Sequence, residues 1–585
     1  MNDATITRAQ RAVTALKEGR FDAAYKIAKA GLKSAPKQAY LANLAGLALV
    51  QNNDPLNATR YFLMAWRSDP QMIEAARNLA QALILLGQTD KALTVLAKAL
   101  ASWPDDVELR YLVASAHHGA GRFHDAIVAA NEGITLAPKS AAFHSLRALA
   151  LEQTGDAIGA ERDFQHAIEL NVTDPETRRA YAQFLAFHAQ IDAAFTHVNV
   201  GLSVTPDHEG LLIQKASLHQ AIGDTKDAIT CYETILREQP EHPLALNGLA
   251  FLVSDQRAAQ LAKTISKVLR KPSISRETKT LLGFAQAHLA KNAGHKDAAQ
   301  VLAKANAAAS KIMPYDAQAA ETGQARLLAP FAGKIGQSTT LPKTPTPIFI
   351  VGLIRSGTTL MEQILTQHPA VTGLGELARA RHLADIQASQ FAQKGTTPDG
   401  DFFAQDYRAA LPELSKSTTH FVDKMPDNFR VIGYLLNAFP NATILEMQRD
   451  PRDVALSMWA NHFPTMAHSY TNALPAMAAH MNLYARTMQH WHANFPDRIH
   501  AVSYEDLVTD LVPNSQRAAT LCGLQWHVDM AHPERGASAV LTASSDQVRQ
   551  PVHRQSIGKW LDKRDLLAPL CDALDPDLWP GIRAT

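Results

Sequence analysis

Residues Pro347 to Met361 read PIFIVGLIRSGTTLM, and this segment decides the fold of the second half of the chain. Its apolar first half predicts a buried strand, and the apolar residues at helical spacing after Thr358 predict a helix. A strand that leads into a helix through Gly352-x-x-x-x-Gly357-Thr-Thr is typical of a phosphate-binding loop, in which backbone N–H groups and the helix dipole attract an anion. The segment therefore predicts an anion site at a strand–helix junction.

This loop differs from the one that nucleoside triphosphatases use. Their loop ends in Gly-Lys-Ser/Thr, and the lysine binds the β- and γ-phosphates. In this chain Thr358 occupies the position of that lysine, and a cation, Arg355, lies inside the loop. The pattern favours a 5′-phosphate that carries something other than a γ-phosphate. A kinase is the disfavoured alternative, because the chain also shows no clear acidic motif for magnesium.

Composition and charge narrow the classes of function. The 585 residues contain 57 Lys and Arg against 56 Asp and Glu, a net charge of +1, which disfavours bulk binding to nucleic acid or to a membrane surface. Three cysteines and 24 histidines show no metal-ligand spacing, so we predict no metal site. The first residues, MNDATITRAQ, have no signal pattern, and no run approaches about 18 apolar residues. We expect a cytoplasmic protein.

The N-terminal part repeats every 34 residues. Alanine recurs at positions 24, 58, 92, 126, 160, 194 and 228, and proline at 36, 70, 104, 138, 206 and 240. A small or turn-forming residue precedes each alanine by five positions: Gly19, Asn53, Gly87, Gly121, Gly155, Ala189 and Gly223. This period, with a mid-repeat turn, a small residue in the second helix and a closing proline, resembles the tetratricopeptide repeat. The resemblance implies an all-α solenoid of about seven repeats, in which the alanines allow close helix approach.

Three regions are predicted along the chain. Residues 1–275 form the solenoid with one divergent repeat, residues 276–343 form a helical cap and a linker rich in Pro and Thr, and residues 344–585 form an α/β domain. In the last region the strand-like runs TPIFIVGL, THFVDK, NATILEMQR and IHAVSYEDL alternate with helical runs. That alternation predicts a mostly parallel sheet with helices on both faces. Ligands of such sheets bind beyond the carboxyl ends of the strands.

A second anion site is predicted after the run NATILEMQR. Arg449 ends this strand, Pro451 stands where a helix can begin, and Ser457 follows about one and a half turns later. An arginine and a hydroxyl that meet at a strand–helix junction can bind a phosphate. A surface helix with an ion pair at its N-terminus is the alternative interpretation of RDPRD.

The loop IRSGTT and the segment RDPRDVALS resemble the 5′-phosphosulfate and 3′-phosphate loops of sulfotransferases that use 3′-phosphoadenosine 5′-phosphosulfate (PAPS). Further motifs are similar to the tyrosylprotein sulfotransferase branch: HP leading into Gly375-Glu376, DKMP, the tetrapeptide YEDL at 504–507, and QVRQPVHRQSIGKW at 547–560. The resemblance covers residues 345–585. It implies a P-loop-like α/β fold with PAPS as co-substrate and no metal. Repeats ahead of such a domain resemble a bacterial class of tetratricopeptide-repeat sulfotransferases.

The resemblance also implies catalytic roles. Arg355 is expected to lie against the 5′-phosphosulfate, and Ser556 near the sulfonate. Lys424 matches the lysine that steadies the bridging oxygen as it gains charge, and Glu376 matches the base that takes the proton of the acceptor hydroxyl. The residue types alone leave two alternatives open, a solvated loop carboxylate for Glu376 and an ordinary strand-edge lysine for Lys424.

Binding roles follow from the same resemblance. Arg449 and Ser457 are expected to bind the adenosine 3′-phosphate, with Lys559 as a helper. Tyr504 is expected to pack on the nucleotide or bond to it, although a tyrosine beside an apolar strand is also a common core residue. Asn461 departs from the family pattern, which has a further basic residue there. N–H and hydroxyl donors to the 5′-phosphosulfate are expected from the loop residues Ser356, Gly357, Thr358 and Thr359.

Of the features predicted from the sequence, the acceptor substrate is the least determined. An extended repeat surface suits a peptide or protein segment, so we expect a hydroxyl acceptor on a protein, such as tyrosine, presented by the repeat groove. A glycan or small-molecule sulfotransferase whose repeats only bind partners is one alternative, and a non-catalytic repeat scaffold is another. A homodimer is left open.

Overall fold

The computed structural model describes residues 3–188, 190–272, 274–331, 345–536 and 550–582. The chain divides into two units, Met1–Thr177 and Arg178–Thr585. The first unit is built from helices, and the second contains further helices followed by a β-sheet. Within the described ranges, every helix is too short or too polar to cross a membrane.

Helices follow one another in pairs through the N-terminal part. In the first unit they are α1 (Asp3–Lys17), α2 (Phe21–Ser34), α3 (Ala39–Gln51), α4 (Pro55–Ser68), α5 (Ile73–Leu85), α6 (Thr89–Ser102), α7 (Val107–Gly119), α8 (Phe123–Leu136), α9 (Ala141–Gln153) and α10 (Ala157–Leu170). The second unit begins within α11 (Pro175–Phe187) and continues with α12 (Ile191–Val204), α13 (Glu209–Ile222), α14 (Thr225–Glu238), α15 (Pro243–Ala250), α16 (Asp255–Leu269), α17 (Arg276–Asn292), α18 (Ala298–Ile312) and α19 (Ala317–Leu328). The predicted all-α repeat architecture is confirmed.

The 34-residue period follows from how paired helices pack. Each recurring alanine is fully buried, at positions 24, 58, 92, 126, 160, 194 and 228. The turn residue five positions earlier has a left-handed backbone, with φ from 57° at Asn53 to 84° at Gly223. Glycine adopts this conformation without a steric penalty and asparagine tolerates it, which explains the residue types at the turn. Ala189, at the same position of its repeat, lies outside the described residues.

The sheet has five parallel strands in the order β2-β3-β1-β4-β5. Their bounds are β1 (Thr346–Gly352), β2 (Val371–Gly373), β3 (His420–Asp423), β4 (Thr443–Gln448) and β5 (Ile499–Ser503). The parallel sheet and four of its strands agree with the sequence prediction. β2 was not predicted, because its three residues are too few to show a strand pattern.

Helices cover both faces of the sheet. They are α20 (Thr358–Thr366), α21 (Arg379–Lys394), α22 (Gly400–Ala409), α23 (Ile432–Ala438), α24 (Pro451–Trp459), α25 (Leu474–Asn494), α26 (Tyr504–Thr509), α27 (Leu511–Leu521) and α28 (Arg564–Ala573). Alternate side chains of β1 enter two separate cores. Phe349 and Val351 join the core that contains residues of α21, α25 and α28, whereas Ile348 and Ile350 pack with residues of α20 and α27.

The helices before the sheet share its core. Phe331 and Leu327 belong to the same buried cluster as Phe349, and the Phe331 ring packs edge-on against Trp491 at 5.3 Å. Asn306 of α18 donates a hydrogen bond of 3.0 Å to the carbonyl of Trp459. Residues 298–331 therefore pack as part of the α/β region. The boundaries at 275 and 343 stay predictions, because most of the predicted linker, residues 332–344, lies outside the described residues.

Gly133 tests the close approach of repeat helices. It lies in α8, and a Cβ at this position would overlap the ring of Phe143 in α9, which is fully buried. We expect Gly133→Ala to lower the free energy of unfolding by about 1–3 kcal/mol, because overpacking forces the helices apart. Urea denaturation followed by circular dichroism measures the change.

Gly119 offers a matched control at the end of α7. Nothing lies within 4 Å of the position that its Cβ would take. Gly119→Ala is expected to leave the free energy of unfolding unchanged or to raise it by up to about 1 kcal/mol, because alanine loses less backbone entropy on folding. Equal destabilisation by the two substitutions would contradict the packing argument.

Candidate active site

The predicted site residues lie along one edge of the sheet, because parallel strands all end there. The glycine loop follows β1, and Glu376 and Lys424 follow β2 and β3. Arg449 follows β4, and Tyr504 follows β5 as the first residue of α26. Each of the five strands therefore contributes to the same edge.

Unusual backbone conformations shape the loop after β1. Gly352 has φ of 152°, and a Cβ there would lie 2.8 Å from a carbonyl oxygen of β4. Arg355 and Gly357 have φ of 69° and 104°, and a Cβ on Gly357 would lie 2.6 Å from Cδ2 of Tyr504. α20 begins at the next residue, Thr358, so its first N–H groups, which have no partner inside the helix, stand directly after the loop. This arrangement suits an anion.

Ser356 carries an unpaired hydroxyl in this loop. Its side chain is 1% exposed, and its Oγ has no hydrogen-bond partner within the described part of the chain. A buried hydroxyl without a partner costs about 1–3 kcal/mol, so the position favours a polar ligand atom beside it. Thr358 and Thr359, the other predicted hydroxyl donors, are also buried at the start of α20.

Arg355 meets the second predicted anion site directly. Its Nε donates a hydrogen bond of 3.0 Å to Oγ of Ser457 in α24. Burial, together with the positive charge of Arg449, lowers the pKa of Arg355 to about 10. Two half-buried guanidinium groups that repel each other would be stabilised by an anion between them. The loop after β1 and the helix after β4 therefore form one cationic site.

Arg449 holds the parts of this cationic site together. Its Nη1 donates to the carbonyl of Arg355 at 3.0 Å, and its Nη2 donates to the carbonyl of Ser556 at 2.7 Å. The guanidinium carbon lies 4.3 Å from the centre of the Tyr504 ring, and Nε is buried with no partner among the residues described. Tyr504 thus packs on Arg449 and the glycine loop. Its predicted contact with a nucleotide stays a prediction.

The segment around Ser556 is held by a buried carboxylate of α24. Asp453 Oδ2 accepts from the N–H of Gly558 at 2.7 Å, and Oδ1 accepts from the N–H of Trp560 at 3.0 Å. Arg452 stacks on Trp560, with 3.5 Å from the guanidinium carbon to the ring centre. Ser556 is buried, whereas Lys559 is exposed and takes part in none of these contacts. The first residues of the QVRQPVHRQSIGKW motif, 547–549, lie outside the described residues.

Asn461 closes the helix that carries Ser457. Its Nδ2 donates a hydrogen bond of 2.8 Å to the carbonyl of Ser457. The residue therefore satisfies a free carbonyl near the end of α24, a role for which a polar amide is sufficient.

Glu376 and Lys424 form an ion pair at the ends of β2 and β3. Lys424 Nζ donates to Glu376 Oε1 at 2.6 Å, and the Lys424 N–H donates to the carbonyl of Gly375 at 2.8 Å. The Lys424 side chain is 2% exposed, and that of Glu376 is 33% exposed. Burial by itself lowers the pKa of Lys424, but the carboxylates of Glu376 and Glu362 outweigh it, so the pKa is raised.

Two buried carboxylates near this pair were missed by the sequence analysis. Glu362 of α20 has Oε2 3.8 Å from Lys424 Nζ, and its Oε1 accepts from the N–H of Gly375 at 3.1 Å. Burial raises the pKa of Glu362. A lone glutamate four residues after Thr358, within the apolar run of α20, was the available sequence signal.

Asp423 is the second missed carboxylate. It is fully buried at the end of β3, where its Oδ2 accepts from Tyr407 Oη at 2.7 Å and from Asn428 Nδ2 at 3.0 Å. Its Oδ1 accepts from the N–H of Met425 at 3.0 Å and from that of Leu377 at 3.5 Å. Burial raises the pKa of Asp423 to about 7 although these bonds oppose the shift. Asp423 thus fixes the residues next to Lys424 and next to Glu376.

The structure brings the predicted site residues into two groups. Direct contacts join the members of the cationic group, which are Arg355, Arg449, Ser457, Tyr504 and Ser556. Glu376 and Lys424 form the second group, at neighbouring strand ends. Lys559 belongs to neither. The site thus combines a cationic surface, whose chemistry suits an anion, with a carboxylate–ammonium pair that can hold or move a proton.

A group of possible metal ligands lies elsewhere. In the described part of the chain, His219, Asp224 and Asp227 place ligand atoms within 4.8 Å of one another. Asp224 caps α14 by accepting from the N–H of Asp227, and His219 lies 3.2 Å from Asp224. Helix capping and this contact account for the group without an ion.

Comparison with known proteins agrees with the geometry of the site. Residues 347–528 match the family model described as the sulfotransferase family. Residues 87–150 and 213–262 match two models of the tetratricopeptide repeat. The matched range of the first model contains the glycine loop, Glu376, Lys424, Arg449 and Ser457, whereas Ser556 and Lys559 lie beyond it.

Individual relatives are distant. An uncharacterised protein of Aquifex aeolicus is 26% identical over 389 residues, which cover 63% of this chain and 50% of the relative. A putative protein-tyrosine sulfotransferase of Caenorhabditis briggsae is 27% identical over 251 residues, which cover 39% of this chain and 89% of the relative. Protein-tyrosine sulfotransferase 2 of Gallus gallus is 27% identical over 244 residues, which cover 37% of this chain and 62% of the relative. The matched part is thus half of the Aquifex relative's length.

Proposed function

We propose that this chain, which joins tetratricopeptide repeats to a sulfotransferase-family domain, transfers a sulfuryl group from PAPS to a hydroxyl acceptor on a protein. The observation that carries the proposal is the Glu376–Lys424 pair, in which Nζ and Oε1 are 2.6 Å apart. The pair lies at the same edge of the sheet as the glycine loop that resembles a phosphate-binding loop. A carboxylate and an ammonium at this position supply the base and the electrostatic stabilisation that sulfuryl transfer needs.

The cationic group is suited to a donor with two separate phosphates. Arg355 and Ser356, in the glycine loop, would bind the 5′-phosphosulfate, together with the N–H groups that open α20. Arg449 and Ser457 would bind the 3′-phosphate, which distinguishes this donor from ATP. The unpaired Ser356 hydroxyl and the unpaired Nε of Arg449 support this fit, because each is a buried polar atom that a phosphate oxygen would satisfy.

The chemical step assigns one role to each member of the pair. The acceptor oxygen forms a new bond to sulfur while its proton passes to Glu376. The bond between sulfur and the bridging oxygen breaks, and its electron pair stays on the leaving phosphate, where the Lys424 ammonium stabilises the charge. In the absence of substrates, the ion pair holds the two side chains next to each other, and the carboxylates of Glu376 and Glu362 raise the pKa of Lys424, which favours its ammonium form.

The repeats support a macromolecular acceptor. Stacked repeats offer an extended surface, and a covalent link to the transferase raises the effective concentration of a bound segment at the site. In the first unit, a cavity of about 510 Å³ is lined by charged and aromatic side chains that include Arg77, Tyr111 and Phe143. Two relatives are described as protein-tyrosine sulfotransferases, one of them as a putative one, so a tyrosine hydroxyl is the acceptor we propose.

Donor recognition can be tested at Arg449. We expect the wild type to bind 3′-phosphoadenosine 5′-phosphate more tightly than AMP or ATP. Arg449→Ala should weaken binding of the bisphosphate by about 1.5–3 kcal/mol, the usual value of a hydrogen bond to a charged group. Its effect on AMP should be smaller, because AMP has no 3′-phosphate and depends on Arg449 only through the contacts that hold the glycine loop. Titration calorimetry measures both affinities.

Arg498 is the control for the loss of an arginine. It also donates to a backbone carbonyl, that of Ala442 at 2.9 Å, but it precedes β5 and so lies at the opposite edge of the sheet. Arg498→Ala should leave both affinities unchanged. Equal affinity of the wild type for AMP and the bisphosphate would rule out the second loop as a 3′-phosphate site, and a preference for ATP would favour phosphoryl transfer instead.

The base can be tested by Glu376→Gln. Glutamine keeps an oxygen that can accept from Lys424 but cannot take a proton, so turnover should fall by about 10²–10⁴ while bisphosphate affinity stays nearly unchanged. Radiolabelled PAPS and a phenolic acceptor give the rate. Glu321→Gln is the control, because Glu321 is a glutamate of similar exposure, paired with Arg486, outside the site. Wild-type turnover of Glu376→Gln would reduce Glu376 to a structural carboxylate.

The role of the repeats can be tested by removing residues 1–174, so that the chain begins at α11. Sulfation of a protein acceptor in lysate of the source organism should be lost, because the presenting surface is gone, whereas a small phenol should still be sulfated. Autoradiography of labelled proteins provides the readout, and a thermal unfolding transition controls for folding of the shortened chain. Labelling of small metabolites alone, at the same rate in both forms, would show that the repeats do not present the substrate.

A further inference from the structure

Lys424 lies between two carboxylates, and only one of them has a role in the proposed reaction. Glu376 is 2.6 Å away on the exposed side, and Glu362 is 3.8 Å away on the buried side. The Glu362 side chain is 10% exposed against 33% for Glu376. Glu362 is thus the carboxylate that has less access to an acceptor.

Glu362 touches both halves of the catalytic pair through separate oxygens. Oε2 faces the Lys424 ammonium, and Oε1 accepts from the N–H of Gly375, the residue before Glu376. The carbonyl of Gly375 in turn accepts from the N–H of Lys424, and its φ of 67° is a left-handed conformation that suits glycine. One side chain of α20 therefore ties the glycine loop, the Glu376 turn and Lys424 together.

The charges explain why a second carboxylate is useful. When Glu376 takes a proton from the acceptor it becomes neutral, and Lys424 loses its nearest counter-ion at the moment when its charge is needed. A buried ammonium without a counter-ion has a lowered pKa and tends to lose its proton. Burial raises the pKa of Glu362, but the Lys424 ammonium 3.8 Å away opposes this shift, and the repulsion from Glu376 that adds to it ends when Glu376 is neutralised. Glu362 is thus placed to supply the negative charge at that moment.

We propose that Glu362 is a positioning residue of the transferase site, which orients the Glu376 turn and keeps Lys424 protonated while Glu376 is neutralised. The proposal rests on the proposed function. Glu362 acts through Lys424 and Gly375 and does not itself contact the donor or the acceptor. The charged groups that face Lys424 are Glu362 from α20, Glu376 from the turn after β2 and Asp423 from β3, while His468 interacts electrostatically with Glu376.

The substitution Glu362→Gln removes the negative charge of the side chain but keeps its size and one oxygen. The amide oxygen can still accept from Gly375, but the negative charge beside Lys424 is gone. We expect kcat to fall by about 10- to 100-fold, the size of effect that misplaced catalytic groups produce, with the KM for PAPS within about twofold of the wild type. The alkaline limb of the kcat–pH profile should move to lower pH by about one unit or more, because an opposite charge at this distance supports the ammonium.

Glu446→Gln is the matched control. Glu446, on β4, is also a buried carboxylate. It accepts hydrogen bonds from Tyr484 Oη at 2.7 Å and from His492 Nε2 at 2.8 Å. Its loss should lower thermal stability without moving the alkaline limb. The proposal would be overturned if the alkaline limb of the kcat–pH profile kept its wild-type position in Glu362→Gln, or if it moved by the same amount in both variants.

A second measurement does not depend on turnover. The Lys424 side chain is 2% exposed, so its titration is best followed without a reagent. The Cε chemical shift of Lys424 over a range of pH, in full-length protein with ¹³C-labelled lysine and assigned with Lys424→Arg, gives the titration of this lysine in each variant. It should titrate at lower pH in Glu362→Gln than in the wild type, and unchanged titration would overturn the role of Glu362. If the wild type transfers no sulfuryl group while the titration shifts as expected, the proposed function fails and the electrostatic role of Glu362 is supported.

Discussion

Parallel pairing of β1 with β3 on one side and with β4 on the other is the constraint on which the site depends. It brings the ends of the strands to one edge, so that groups far apart in the sequence become neighbours without long connecting loops. Gly352 marks how tight this arrangement is, because a side chain there would collide with the backbone of β4. The absence of a side chain at Gly352 thus lets the glycine loop begin in close contact with the end of β4, and Arg449 is the next residue after β4.

The same edge concentrates charges that are unfavourable by themselves. Arg355 and Arg449 lie close together and are half-buried, and the buried hydroxyl of Ser356 has no partner in the described structure. Such costs persist at functional sites when the surrounding structure holds the groups in place. Here the surroundings are Asp453, which fixes the segment of Ser556, and the Tyr504 ring under Arg449. A bound anion would remove most of these costs.

The carboxylates around Lys424 show how far the site extends into the core. Asp423 and Glu362 are buried, yet they hold the backbone on both sides of Glu376, through Leu377 and Gly375. The geometry of the Glu376–Lys424 pair thus depends on residues that would be classed as core by position alone. The core itself includes Leu327 and Phe331, so the helices that precede the sheet contribute to the rigidity of the domain that carries the site.

The sequence by itself determined the features that repeat or that follow from local patterns. The 34-residue period identified the alanines that are fully buried and the turn residues with positive φ, and the apolar runs identified four of the five strands. It also placed Arg355 and Arg449 at the ends of predicted strands, whereas Glu376 and Lys424 were named only through the resemblance to sulfotransferases. Only the tertiary structure decided which of these side chains meet, and that Glu362 and Asp423 support them. Contacts between groups distant in the chain depend on strand order and helix packing, and neither is encoded in local periodicity.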